Sequence, residues 1–130
     1  THSRQQTRAV LDDRARAVFG GGVAVASGAQ GITARQGNAT LLLSRRAEVV
    51  TRPALEILAD DVQCSHGASV GQLDEAALFY LRSRGLDHEA ARALLIASFA
   101  RAALPDVPVA GALNWVFDGV EASLPVAATA

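Results

Sequence analysis

The chain has 130 residues, half of them apolar, and carries 12 basic against 13 acidic side chains. That length buries one core but is too short for two ordinary domains. The charge is nearly balanced and the arginines are spread along the chain, which leaves no stripe for a nucleic acid or an anionic membrane; no apolar run reaches membrane-spanning length, and no signal-peptide pattern opens the chain.

In chain order, residues 1–15 are expected to form a partly disordered N-terminal segment containing His2. From 16 to 72 short apolar runs rich in Val, Leu and Ile follow one another: VFGGGVAV at 18–25, ATLLLS at 39–44, then AEVV and ALEIL leading into DDVQC. These are predicted strands. Gly20, Gly21, Gly22, Gly28, Gly31, Gly37, Gly67 and Gly71 read as punctuation between runs, where turns with positive φ fall. No helical pattern intervenes, so turns alone join the strands, either as an antiparallel meander or as a β-solenoid. The GN pair at 37–38 suits a hairpin and the uneven intervals suit a solenoid; spacing does not choose.

From residue 73 the period changes to about 3.6. DEAALFYLRSRG predicts a helix from about Asp74 to Arg84, capped by Asp74 and stopped by Gly85, with Leu78 and Leu81 on one flank and Phe79 and Tyr80 beside them. Asp87 caps a second helix whose stripe is Ala91, Leu94, Leu95, Ser98 and Ala102, ending before Pro105. Leu113, Val116, Phe117 and Val120 mark a third, with Trp115 off its stripe. The helical region is placed at 73–124, with a disordered tail at 125–130.

The chemistry concentrates at residues 60–71, DDVQCSHGASVG. An extended conformation puts Asp60, Val62, Cys64 and His66 on one face, so the only thiol and an imidazole become neighbours. The pair is half of a metal site or a thiol activated by a base, while the commoner arrangement of these residue types is a buried cysteine beside a surface histidine. One cysteine excludes an intrachain disulfide, and a lone thiol fits a reducing, cytoplasmic home. Asp60 and Asp61 read either as groups behind the ligands or as a solvated strand end. Arg82 and Arg84 suit the last turn of a helix as well as a partner surface.

Residues 54–100, ALEILADDVQCSHGASVGQLDEAALFYLRSRGLDHEAARALLIASFA, resemble the C-terminal region of the SufB/SufD family of SUF iron-sulfur cluster assembly scaffolds, on the SufD side of that family. RAVLDDRARAVFGGGVAV and ARQGNATLLLS are similar to its repeating coils, so the resemblance covers residues 8 to about 103 and fades after 104. It implies a right-handed parallel β-helix followed by a small C-terminal helical domain. Family members are considerably longer at the N-terminus, so a fragment or a reduced relative is expected. In the family's complex the SufD-type chain pairs with its paralogue SufB, each holds a copy of the ATPase SufC, and the new cluster forms between the two β-helices.

Carried onto this chain, the resemblance makes His66 a ligand of a transient iron-sulfur cluster shared with the partner, and Cys64 the cysteine of the same motif. Thiolate and imidazole both suit such centres, and one Cys with one His cannot close a four-ligand site alone. The helical domain becomes the SufC dock, through Leu78, Phe79, Tyr80, Leu81, Arg82 and Arg84, with Arg92 also on its rim. The leading expectation is a non-enzymatic scaffold. Two others stand beside it: a thiol-based redox protein using Cys64 and His66, and a stand-alone β-solenoid whose exposed first coil pairs with a second copy as a homodimer.

Overall fold

A computed structural model describes residues 1–104 and, beyond them, 115, 118, 119 and 122. Five strands come first: β1 (His2–Leu11), β2 (Arg16–Val25), β3 (Ile32–Leu42), β4 (Glu48–Ile57) and β5 (Val62–Gly71). Two helices follow, α1 (Glu75–Ser83) and α2 (His88–Arg101). The stripe expected for a third helix and the tail at 125–130 lie outside the described residues.

The odd strands form one sheet in the order β1-β3-β5 and the even strands another, β2-β4. All three pairings are parallel, with registers that place His2 against Thr33, Ile32 against Val62 and Arg16 against Glu48. The antiparallel meander is thereby excluded: GN at 37–38 lies in the middle of β3. The chain changes sheet at every turn, so positions that stack on one another, such as Gln5 and Gln36, are 31 residues apart. The fold is therefore mainly β with parallel strands and terminal helices, as expected, and it takes the form of two separate sheets that share no strand pair.

The N-terminal segment departs from expectation. Residues 2–11 are not disordered but pair with β3 along the whole length of β1. The sequence HSRQQTRAVL shows no apolar run because most of its inward positions are polar, and the backbone ladder rather than a hydrophobic face holds it in place. Several glycines expected between strands lie inside them. Gly20, Gly21 and Gly22 sit inside β2, Gly37 inside β3 and Gly67 inside β5. At Gly21 an added Cβ would lie 2.7 Å from Nε2 of Gln36 on the facing sheet, so the missing side chain makes room for that amide. Pro53, inside β4, is accommodated on an edge strand.

On β3 the inward face reads Ala34, Gln36, Asn38 and Thr40, all buried, with Gln36 only 4% exposed. Facing it, β2 turns Ala17, Phe19, Gly21, Val23 and Val25 inward, each less exposed than its neighbours along the strand. The space between the sheets is therefore lined in part by polar side chains.

Both helices begin where the sequence predicts. The Asp74 carboxylate accepts hydrogen bonds from the amides of Ala76 at 2.9 Å and Ala77 at 3.3 Å, and Asp87 accepts from Ala90 at 2.8 Å. Gly85, at φ +101°, turns the chain out of α1 in a conformation that costs other residues more. The buried side of α2 differs from the expected stripe: Ala91 and Ile96 are fully enclosed, while Leu94 and Ser98 are exposed. ARALLIASFA is apolar almost all round, so its periodicity selects no face, and contact with β1 does. There the Arg8 guanidinium lies 4.8 Å from the centre of the Phe99 ring, and Arg92 pairs with Asp12 at 3.7 Å.

Candidate functional site

β5 carries the CSHG residues. Cys64 stands in register with Ala34 and His66 with Gln36, both of which face inward on β3, so alternation puts the thiol and the imidazole on the inward face of the three-stranded sheet. Two residues on one strand face are about 6.6 Å apart along it, close enough for both side chains to serve one centre. Cys64 is half-buried and is a free thiol; His66 is exposed.

This exposure follows from topology. β5 is the last strand of its sheet, and the two-stranded sheet ends one strand earlier, at β4. The inward face is closed at β3 and open at β5. Around the opening the inward-pointing Leu55 and Ile57 of β4 and Val70 of β5 are also exposed, Val70 at 52%. The CSHG pair thus occupies the uncovered end of an interior, bordered by apolar side chains that a further layer of structure would bury.

Asp60 and Asp61 do not join this face. β5 begins at Val62; both carboxylates lie exposed in the bend before it, where the Asp61 amide donates to Oε1 of Gln30 at 3.1 Å. Among the described residues no three His, Cys, Asp or Glu side chains are grouped to hold a metal ion.

The residues expected to meet a partner through α1 divide. Leu78 is core, at 7% exposure, because it faces α2 and the strand ends, and it leaves the candidate surface. Phe79 at 74% and Tyr80 at 56% stand out in solvent, with Leu81 half-buried between the two environments. Arg84 folds back along the helix, its guanidinium 5.4 Å from the Tyr80 ring, and Arg82 is exposed in the last turn. Arg92, expected on the rim, is largely covered and turned to Asp12. Leu94, also exposed, adds to the apolar area.

Beneath the opening lie polar residues that none of the sequence motifs includes. Gln36 donates from Nε2 to Oε1 of Gln5 at 2.7 Å, while its own Oε1, the Nδ2 of Asn38 and the Oγ1 of Thr40 are buried without a partner. The signal was present as a weak internal repeat: ARQGNA at 34–39 and CSHGAS at 64–69 lie in register, with Gln-Gly answering His-Gly.

Residues 1–99 match the model of the SUF system FeS cluster assembly, SufBD core domain. The chain belongs to the SufBD family. It is 46% identical over 99 residues to the iron-sulfur cluster assembly protein SufD of Escherichia coli, a match covering 76% of this chain and 23% of that protein. It is 46% identical over 108 residues to an iron-sulfur cluster assembly SufBD family protein of Synechocystis, covering 83% of this chain and 24% of the relative. SufD of Bacillus subtilis is 35% identical over 112 residues, 86% of this chain and 26% of that protein. The chain thus spans about a quarter of the length of these relatives. The family is one of the SUF system of iron-sulfur cluster assembly. No helix among the described residues is long and apolar enough to cross a membrane.

Proposed function

We propose that this chain is the C-terminal part of a non-enzymatic scaffold on which an iron-sulfur cluster is built as cargo, His66 and Cys64 supplying one side of its ligand set. The observation that carries the reading is the position of the pair: two donors suited to iron-sulfur chemistry lie on an inward face that topology leaves open, rimmed by Leu55, Ile57 and Val70. A two-donor fragment at an unfinished interior is what a site completed by a second chain requires. The two parallel sheets are walls of a right-handed β-helix, and SufB is the partner whose own coil covers the open end and brings the remaining ligands. The protein acts in the cytoplasm, and its cluster passes on because imidazole ligation holds it less firmly than an all-thiolate cage.

The helical end has a separate task. Phe79, Tyr80 and Leu94 leave apolar area uncovered beside Arg82 and Arg84, which suits a dock for the ATPase SufC. Burial of one large apolar side chain contributes roughly 1.5–3 kcal/mol, so Phe79→Ser weakens SufC binding about tenfold or more. Titration of SufC against the parent chain and this variant reads the effect, and equal affinities would place the dock elsewhere.

The central test is His66→Ala in the complete assembly with SufB and SufC. Cluster absorbance fails to develop while circular dichroism stays that of the parent; Cys64→Ala has a smaller effect, because the partner's thiol is the main sulfur ligand. Normal cluster build-up on the His66 variant would remove the proposal.

A further inference from the structure

The buried amide of Gln36 is half-satisfied, and its orientation says where the other half is directed. β3 lies between β1 and β5 in the sheet. Gln36 Nε2 points to the β1 side, donating to Oε1 of Gln5 at 2.7 Å. The oxygen of a primary amide diverges from its nitrogen at a trigonal carbon, so a side chain that donates towards β1 directs Oε1 away from β1. It has no hydrogen-bond partner there, although Gln36 is 96% enclosed, being only 4% exposed. Leaving such a carbonyl unpaired costs about 1–3 kcal/mol. The residue in register with Gln36 on β5 is His66. Neighbouring strands are about 4.8 Å apart, which places an imidazole N–H within reach of that oxygen by side-chain rotation alone.

Resting on the reading of His66 as a cluster ligand, we infer that Gln36 is the positioning residue for His66. Its Oε1 accepts the ring N–H of His66 and completes a three-strand ladder, Gln5 to Gln36 to His66. A histidine that donates from one ring nitrogen is fixed in tautomer and orientation, and its other nitrogen is left with a lone pair for a metal. Gly21 is part of the device, because only glycine there leaves space for the Gln36 amide between the sheets. The reverse arrangement, with both glutamine amides turned over, would aim an N–H of Gln36 at His66 and occupy the ligand lone pair. The two are separable by experiment.

The full chain labelled with ¹⁵N-histidine has three imidazoles, and loss of a signal in His66→Gln assigns the one in question. At a pH where the ring is neutral, His66 of the parent shows one tautomer with a ring N–H that exchanges slowly with water. Gln36→Met, of similar shape but with neither amide group, returns the mixed tautomers and fast exchange of a free imidazole. Gln36→Glu, an acceptor without a donor, restores the single tautomer. In the complete assembly, Gln36→Met slows cluster build-up about 10- to 100-fold and Gln36→Glu recovers most of the loss.

Mixed tautomers in the parent, or a Gln36→Met chain whose His66 signals match the parent's, would overturn the inference. So would a switch to the opposite tautomer in Gln36→Glu, which would identify the reversed ladder. If Gln36→Met does not fold, the parent spectrum and Gln36→Glu decide alone. The two levels fail separately: a Gln36-dependent tautomer with full cluster build-up in His66→Ala removes the ligand role and keeps the ladder. A cluster lost in His66→Ala with tautomers indifferent to Gln36 does the reverse.

Discussion

The inward faces of β3 and β5 are adjacent in one sheet and in register, yet they live in different solvents. On β3 the face is Ala34, Gln36, Asn38 and Thr40, enclosed by a strand on either side and by the opposite sheet. On β5 the corresponding face is Cys64, His66, Ala68 and Val70, and from His66 onward it is exposed. Polarity runs opposite to burial: the enclosed strand carries amides and a hydroxyl, and the open one ends in valine. Burial here belongs to a strand's place in the sheet order rather than to a residue type, so the open end leaves Leu55, Ile57 and Val70 as exposed apolar area.

The largest test of that difference is a charge placed on each face. Ala34→Asp buries a carboxylate with no partner and costs about 3–5 kcal/mol in urea denaturation of the full chain. Ala68→Asp, on the open part of β5, changes stability by no more than about 0.5 kcal/mol. A destabilisation by Ala68→Asp as large as that by Ala34→Asp would mean that β5 is covered within one chain. A smaller contrast comes from glycines. Gly21→Val drives methyl groups into the Gln36 amide and Phe19, at a cost of about 1–3 kcal/mol, whereas an added Cβ at Gly67 meets nothing within 4 Å and Gly67→Val leaves the midpoint unchanged or slightly raised. Equal effects at the two glycines would show that the sheets do not approach at Gly21.

What the sequence disclosed follows the same division. The caps at Asp74 and Asp87, the stop at Gly85 and the strand run of β2 rest on local chemistry, and the structure has them where the residues put them, whereas AEVV and ALEIL, expected as two runs, form one strand, β4. CSHG stands out because its residue types are rare and adjacent, and the extended strand puts Cys64 and His66 on one face as the alternation requires. β1 was not legible, nor was Gln36, since both depend on partners 31 residues away along the chain. A polar strand that pairs only through its backbone has no apolar period, and a glutamine reads as a surface residue until its neighbours in the stack are known. The face of α2 failed for the opposite reason, an excess of apolar residues that left Ile96 and Leu94 indistinguishable before packing.

The smallest expected effect is the most discriminating in sign. Thr40 and Val70 are register partners on the shared inward face, one buried with an unpartnered hydroxyl and one half exposed with none. Thr40→Val replaces that hydroxyl by a methyl group of the same shape and removes the penalty of an unpaired oxygen, so the full chain gains about 1 kcal/mol in urea denaturation. Were a buried water bonded to Oγ1, the same change would instead lose about 1 kcal/mol, and the polar column of β3 would be a hydrated one. Val70→Thr leaves the chain's own stability within about 0.5 kcal/mol, because the side chain is already in water. Its effect belongs to the assembly: if a partner coil closes over β5, the added hydroxyl must be desolvated there, and affinity for SufB falls several-fold while the fold is untouched. A Val70→Thr chain that is destabilised alone and binds SufB unchanged would invert the comparison, making β5 an interior strand and leaving His66 without an interface to serve.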